Sequence, residues 1–156
     1  MNREQTLRLY LEFIWWVVTA IVIVAVLYPI YKVMYAWPFL YWNVAFILVT
    51  ITLSRYLFQL PYSFFARRQY LKAVLFILMI PLTVVMIGGL NHFMTFIEDY
   101  TWDGMTGHLP PTRKRAIESY LWAEMLFFGT ASMLTPPIFA LRLIVSIWRT
   151  HNLGKA

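Results

Sequence analysis

Four long apolar segments constrain the fold of this chain more than any other feature of its sequence. They cover approximately residues 9–34, 38–60, 70–96 and 120–148. Each is near the length of about 20 residues that a helix needs to cross a bilayer. Because an isolated strand cannot pair its own backbone groups in lipid, all four are predicted to be helices. The predicted fold is all-α: a polytopic integral membrane protein with a bundle of four transmembrane helices, forming a single membrane domain over residues 1–156.

The amino-acid composition also indicates that the chain lies in a lipid bilayer. Hydrophobic residues make up 61% of the chain and charged residues 13%, against roughly 45–50% and about 25% in soluble globular domains. Such a chain has too little polar surface to cover itself in water, which excludes a soluble enzyme and makes the lipid bilayer its first partner. The net charge of +6 does not indicate nucleic-acid binding, because the basic residues lie beside apolar spans and the aromatic residues do not interleave with them.

The sequence contains no recognisable catalytic or cofactor motif. It has no cysteine, so disulfides, thiolate nucleophiles and cysteine-ligated metals are excluded. The G-x-S-x-G, Walker A and H-E-x-x-H patterns are also missing. His92, His108 and His151 do not form stacked pairs for haem, and Asp99, Asp103 and His108 lack the spacing of metal ligands. We therefore expect neither enzymatic activity nor a bound cofactor or metal.

The basic residues predict the orientation. Nine of the 13 fall at the N-terminus, around the turn between the second and third spans, or near the C-terminus: Arg3, Arg8, Arg55, Arg67, Arg68, Lys72, Arg142, Arg149 and Lys155. The other four are Lys32 and the triplet Arg113–Arg115, within a long loop predicted at residues 98–118. The positive-inside rule then places both termini in the cytoplasm of a bacterial inner membrane, and the long loop outside as a contact surface.

Four polar residues near the outer ends of the spans are candidates for an intramembrane site: Asn43, Asn91, His92 and Glu124. Ionisable residues within spans are functional candidates by default, and this cluster would suit a proton or a ligand. The alternative is a set of interfacial residues that face lipid headgroups or water.

Glu12 and Arg55 are predicted at similar depths in the first and second spans, near the cytoplasmic side. An ion pair between them would neutralise both charges in low dielectric. Two alternatives remain open: Arg8 lies four residues before Glu12 on the same helical face, and Arg55 can extend to the interface by itself. In each case the role would be structural.

The fourth span contains consecutive prolines, Pro136 and Pro137, after the small residues at 129–132. Two missing amide donors predict a kink or local unwinding. Such a feature is either a packing kink or, as in transporters, a discontinuous helix that builds a site.

One stretch resembles a known family. Residues 43–78 read NVAFILVTITLSRYLFQLPYSFFARRQYLKAVLFIL, and the last span exits as LRLIVSIWR. This arrangement is similar to the N-terminal membrane region of bacterial sensor histidine kinases of the autolysin-regulator type, where four helices precede a cytoplasmic kinase core. The chain carries no phosphoacceptor histidine motif and no ATP-binding domain, so the resemblance implies a four-helix membrane module without kinase activity.

Three functional hypotheses follow from the sequence. The first is a non-catalytic accessory or sensing subunit that works through helix–helix contacts with a larger membrane protein or with further copies of itself. The second is a small transporter or ion-conducting oligomer that uses Glu124 and the kinked fourth span. The third, a lipid- or quinone-binding module, rests on aromatic richness alone.

Overall fold

The structure is a computed structural model, which describes residues 3–34, 37–63, 68–100 and 102–153. Every regular element within these ranges is a helix. The helices are α1 (Arg3–Val33), α2 (Leu40–Gln59), α3 (Gln69–Tyr100), α4 (Asp103–Thr106) and α5 (Pro111–Leu153), with a 3-10 turn at Leu60–Tyr62 after α2. α1, α2, α3 and α5 are long and apolar enough to cross a membrane.

Proline and serine set two of the helix boundaries. α5 begins at Pro111, a position where the missing amide of proline costs nothing because the first helical amides have no intrahelical partner. α2 gives way to the 3-10 turn around Pro61, which lacks the amide needed to continue an α-helix. Ser63 closes this turn by donating its backbone N–H and its hydroxyl to the carbonyl of Leu60, over 3.2 and 2.8 Å.

α5 is the central helix, and both α2 and α3 pack along it. Its buried residues recur at alternating intervals of four and three positions: Met125, Gly129, Ser132, Pro136, Phe139, Leu143 and Ser146. This spacing collects them into one stripe, as in helices that pack at a small crossing angle.

The packed side chains form two apolar clusters along the helices. One contains Phe46, Met86, Phe93, Leu121 and Met125, and lies toward the N-terminal end of α2. The other, toward the opposite end of α2, contains Leu53, Leu60, Met79, Phe139 and Leu143. Together they hold α2, α3 and α5 over most of their common length.

Two glycines allow close contacts within the first of these clusters. The ring of Trp42 lies directly over Gly89, where a Cβ atom would overlap it. A Cβ atom on Gly129 would lie 2.7 Å from Leu90 Cδ1. A side chain at Gly89 would have to displace the Trp42 ring, and one at Gly129 would have to displace the end of the Leu90 side chain. Small residues commonly allow such close approach between apolar helices.

α1 is peripheral. Among its described side chains only Thr19 and Ile30 are buried, and its contacts with α2 and α5 are sparse compared with those among α2, α3 and α5. The rest of its surface is largely apolar and exposed.

The loop predicted at residues 98–118 is mostly helical. α3 continues to Tyr100, α4 occupies Asp103–Thr106 and α5 begins at Pro111. The polar start of α5 is held on α4 by an ion pair between Lys114 and Asp103 and a hydrogen bond from Thr106 to Glu118. These contacts explain why much of this segment is helical although its polar sequence gives no hydropathy signal for a helix.

The two prolines of α5 do not interrupt it. The helix continues without a break from Pro111 through Pro136 and Pro137 to Leu153, so the local unwinding predicted as one outcome does not occur. Thr135 donates its hydroxyl to the carbonyl of Ala131 over 2.9 Å, and Ser132 donates to Gly129 over 2.8 Å. These hydroxyl bonds lie in the turn before the prolines and do not involve the carbonyls of Ser132 and Met133, which lose their amide partners to Pro136 and Pro137.

Candidate functional site

A buried hydrogen bond joins α2 to α5. Asn43, one turn into α2, donates from Nδ2 to Glu124 Oε2 over 2.9 Å. Asn43 is fully buried, and Glu124 is 7% exposed. Asn43 shares the buried face of α2 with Phe46 and Ile47, and Glu124 follows the fully buried Leu121 by three positions. The apolar packing of both helices therefore positions the two polar side chains against each other.

Each member of this pair keeps one buried oxygen without a hydrogen-bond partner among the described residues. These atoms are Glu124 Oε1 and Asn43 Oδ1. Leaving a buried acceptor unpaired costs about 1–3 kcal/mol, and more for a charged group. The site has more acceptors than donors, and a proton on the Glu124 carboxyl would supply one further donor.

A cavity of about 420 Å³ lies beside Glu124, between α1 and α5. Its lining residues are Val26, Tyr120, Ala123, Glu124, Phe127 and Phe128. The hydroxyl of Tyr120 donates to the carbonyl of Val26 over 2.8 Å and holds α1 to α5 at this point. Apart from the Glu124 carboxylate and the Tyr120 hydroxyl, the lining side chains are apolar.

The other two residues of the predicted cluster are placed differently. Asn91 and His92, on α3, are exposed, whereas Asn43 and Glu124 are buried. The His92 ring packs edge-on against Phe39, with ring centres 5.4 Å apart. The structure therefore joins two of the four predicted residues by a hydrogen bond and leaves the other two at the surface.

Glu12 and Arg55 form an ion pair between α1 and α2. Arg55 Nη2 lies 2.6 Å from Glu12 Oε2, and the Tyr56 hydroxyl donates to the same oxygen over 3.0 Å. The Arg55 guanidinium also lies 4.9 Å from the Tyr56 ring centre and 5.7 Å from that of Trp15, within the range of cation–π contacts. The side chain of Arg8, the other partner considered, lies outside the part of the structure that is described.

One buried polar contact was not predicted. Lys72, near the start of α3, is fully buried, and its Nζ donates to Ser146 Oγ of α5 over 2.9 Å. The sequence suggested only an interfacial lysine beside a basic turn. A usable signal was present: Lys72, Met79, Met86 and Phe93 recur every seven residues, which places the lysine on the buried stripe of α3.

A second cavity of about 250 Å³ separates the end of α1 from the start of α2. Its lining includes Leu27, Ile30, Met34 and Trp37. The indole Nε1 of Trp37 is buried and has no hydrogen-bond partner among the described residues. The wall of this cavity is predominantly apolar.

The residues considered as metal ligands do not gather. The described part of the chain contains no group of three or more His, Cys, Asp or Glu side chains arranged to hold a metal ion, and Asp103 is paired with Lys114. In comparisons with protein-family models, curated proteins and solved structures, no match to this chain was found.

Proposed function

We propose that the chain is a multi-pass protein of the bacterial inner membrane, with both termini in the cytoplasm, and that it acts as a non-catalytic accessory or sensing subunit. It contacts a larger membrane protein, or further copies of itself, through helix–helix packing. The observation that carries the proposal is α1, an apolar helix with only two buried side chains among those described. In a membrane such a surface faces lipid or another helix, since both are apolar.

Polar contacts hold both halves of α1, while most of the described surface of this helix is exposed. The Glu12–Arg55 pair holds its N-terminal half to α2, and the Tyr120–Val26 hydrogen bond holds its C-terminal half to α5. Away from these contacts runs a stripe of exposed residues at helical spacing: Phe13, Val17, Ile21, Val24 and Tyr28. Side chains repeated in this way can pack along the groove of a neighbouring helix.

Photo-crosslinking from α1 tests the proposal. A benzophenone side chain would be placed singly along α1 in the native membrane, with the buried Thr19 as the matched control. We expect protein crosslinks at the stripe positions, repeating every three or four residues, and none from Thr19. Uniform labelling of lipid along the whole stripe, together with extraction of a monomer only, would contradict the accessory role.

The orientation is supported by the distribution of basic residues rather than by any contact. Arg67 and Lys155, two of the residues that carry it, lie outside the described ranges. The described Arg68 and Arg149 are exposed, as expected of charges that flank a membrane and stay in water.

Transport is the second candidate, and the buried Glu124 favours it. The carboxylate lies beside a cavity and has an unpaired oxygen, whereas the unbroken α5 gives no support to a discontinuous helix. Reconstituted liposomes test it directly. A flux of protons or organic cations that the wild type carries and Glu124→Gln abolishes, while Glu98→Gln at an exposed position preserves it, would favour transport. If liposomes that contain the wild-type protein show no flux of protons or organic cations, the transport hypothesis is rejected.

A further inference from the structure

We propose that the cavity between the end of α1 and the start of α2 holds one acyl chain of an anionic phospholipid, with the lipid phosphate beside Lys32. The inference rests on the membrane location proposed above, and in the proposed orientation the lipid belongs to the outer leaflet. It does not depend on the accessory role, because the lipid would bind a single copy of the chain.

The cavity is a groove with a closed floor and an open side. Ile30, Met34 and Trp37 line it and are buried. Val24 and Tyr28 also line it, but they are 66% and 62% exposed. The groove therefore opens to the surroundings of α1. Because α1 is apolar over Leu9–Val33, these surroundings are acyl chains in the proposed membrane location.

The size of the groove favours an acyl chain over a helix. One turn of a helix about 10 Å across and 5.4 Å long would occupy roughly 400 Å³, whereas the groove has a volume of about 250 Å³. Val24 and Tyr28 also belong to the exposed stripe of α1, so a partner helix would lie across the opening without filling the groove. An acyl chain is a flexible single file of methylenes and can enter it. Apolar side chains line its path: Ile23, Val24, Leu27, Ile30, Met34 and Leu40.

Lys32 provides a positive charge at the end of the groove. It lies in the last turn of α1 and is exposed. Residues four apart share one face of a helix, so Lys32 lies one turn beyond Tyr28, which lines the groove. Val33 ends the apolar span, which puts Lys32 at the level of the lipid headgroups. A lipid with its chain in the groove would thus have its phosphate near the ammonium group.

The two helices that form the groove carry no acidic residue near Lys32. Residues 13–97 contain neither Asp nor Glu, and no salt bridge joins Lys32 to a described residue. Lysine binds phosphate as a compact point charge. A zwitterionic headgroup would add a second cation at a place where these helices offer no carboxylate for it. The charges therefore fit a headgroup with net negative charge.

The headgroup, rather than the acyl chain, is expected to decide which lipid binds. An acyl chain that moves from the bilayer into the groove exchanges one apolar environment for another and gains little. A lysine at the membrane surface attracts an anionic headgroup with a free energy that corresponds to roughly a fivefold preference. Lipids with identical chains and different headgroups should therefore differ in affinity.

Lipid binding to the purified full chain tests the inference. The protein in detergent would be titrated with dioleoylphosphatidylglycerol and with dioleoylphosphatidylcholine, which has the same chains and no net charge. Bound lipids would be counted by native mass spectrometry. We expect the first phosphatidylglycerol to bind roughly fivefold more tightly. Equal affinities would overturn the proposal. So would glycerol phosphate that binds as tightly as the lipid, since a free anion would then be enough.

Two matched pairs of variants locate the site. Lys32→Gln should abolish the preference for phosphatidylglycerol, while Arg113→Gln, the same removal of a charge at an exposed position of α5, should preserve it. Ile23→Trp fills the groove from its wall and should weaken the binding of both lipids. Ile21→Trp changes an exposed residue that does not line the groove, and should leave both affinities unchanged.

The outcomes separate this inference from the functional proposals. A preference for phosphatidylglycerol that survives Lys32→Gln, or that Arg113→Gln removes equally, would overturn it even if Ile23→Trp fails to fold. Selective lipid binding without protein crosslinks to α1 in the native membrane would uphold the groove and reject the accessory role. Crosslinks to a partner protein without any lipid preference would reject the groove and leave that role standing.

Discussion

At the scale of single residues, pairs of polar side chains join the long helices to one another. The pairs are Glu12–Arg55 between α1 and α2, Asn43–Glu124 between α2 and α5, and Lys72–Ser146 between α3 and α5. In a membrane the apolar faces of helices gain little by leaving lipid, so polar contacts and close packing determine which helix faces meet.

Removing one partner of the Lys72–Ser146 contact while keeping the other is expected to destabilise the protein. Ser146→Ala leaves a fully buried amine without its partner and should lower the free energy of unfolding by about 1–3 kcal/mol. Lys72→Met combined with Ser146→Ala removes both polar groups at similar volume and should recover most of that loss. Thermal unfolding in detergent, measured as a double-mutant cycle, checks both statements. An additive cycle would show that the two side chains do not interact.

Depth along the helices made part of the candidate site predictable. Glu12 and Arg55 lie at matching depths, and so do Asn43 and Glu124, which is enough to propose each contact. Which face of each helix is buried was harder to predict. His92 precedes the buried Phe93 by one position and therefore points about 100° away from it around the helix axis. Hydropathy alone assigns no buried face to an apolar helix, so it could not decide whether Asn91 and His92 join the buried cluster or face the surface, the two alternatives that the sequence left open.

At the scale of elements, hydropathy located the four long helices but not all of their ends. α2 and α3 begin within two residues of the predicted positions, whereas α5 begins at Pro111 instead of about residue 120 and α1 at Arg3 instead of about residue 9. Both extensions are polar. Hydropathy measures the part of a helix that suits lipid, while capping and side-chain contacts decide where the helix itself stops.

Adjacent glycines in α3 give a matched test of helix packing. Gly89→Ala places a Cβ atom into the Trp42 ring, while Gly88→Ala meets open space. We expect Gly89→Ala to destabilise the protein by about 1–3 kcal/mol through overpacking. Gly88→Ala should be neutral or stabilise it by up to about 1 kcal/mol, because alanine favours the helix. The midpoints of thermal unfolding of the two variants, measured in detergent, test both expectations. Equal effects at both positions would contradict the close contact at Gly89.

The N-terminal half of α1 is expected to depend on Arg55. Among the described residues, Arg55→Leu leaves the Glu12 carboxylate with the Tyr56 hydroxyl as its donor. The expected cost is about 3 kcal/mol, the lower end for an ion pair that loses one partner, because the Glu12 side chain is still 22% exposed. The loss should be local, because few other contacts hold this half of α1. Amide hydrogen exchange over residues 10–20 should rise in Arg55→Leu and stay unchanged in Arg113→Leu, an exposed control. A uniform rise across all helices would contradict a local role.

At the scale of the whole molecule, the helices divide into a packed unit and an attached helix. α2 and α3 pack along α5, and their shared clusters contain most of the buried apolar side chains. α1 adds little to that core and is held by polar contacts. The sequence could not show this division, because a helix surrounded by lipid and a helix surrounded by protein have similar composition.

Both termini of the chain are expected to lie on the cytoplasmic side of the membrane. Four spans place both termini on one side, and nine of 13 basic residues select the cytoplasm for it. Because the chain has no cysteine, single cysteines at the exposed Gly107 and Asn152 can be labelled without background. Gly107→Cys should react with a membrane-impermeant maleimide in intact bacterial cells. Asn152→Cys should react only after the membrane is permeabilised, and the reverse pattern would overturn the orientation.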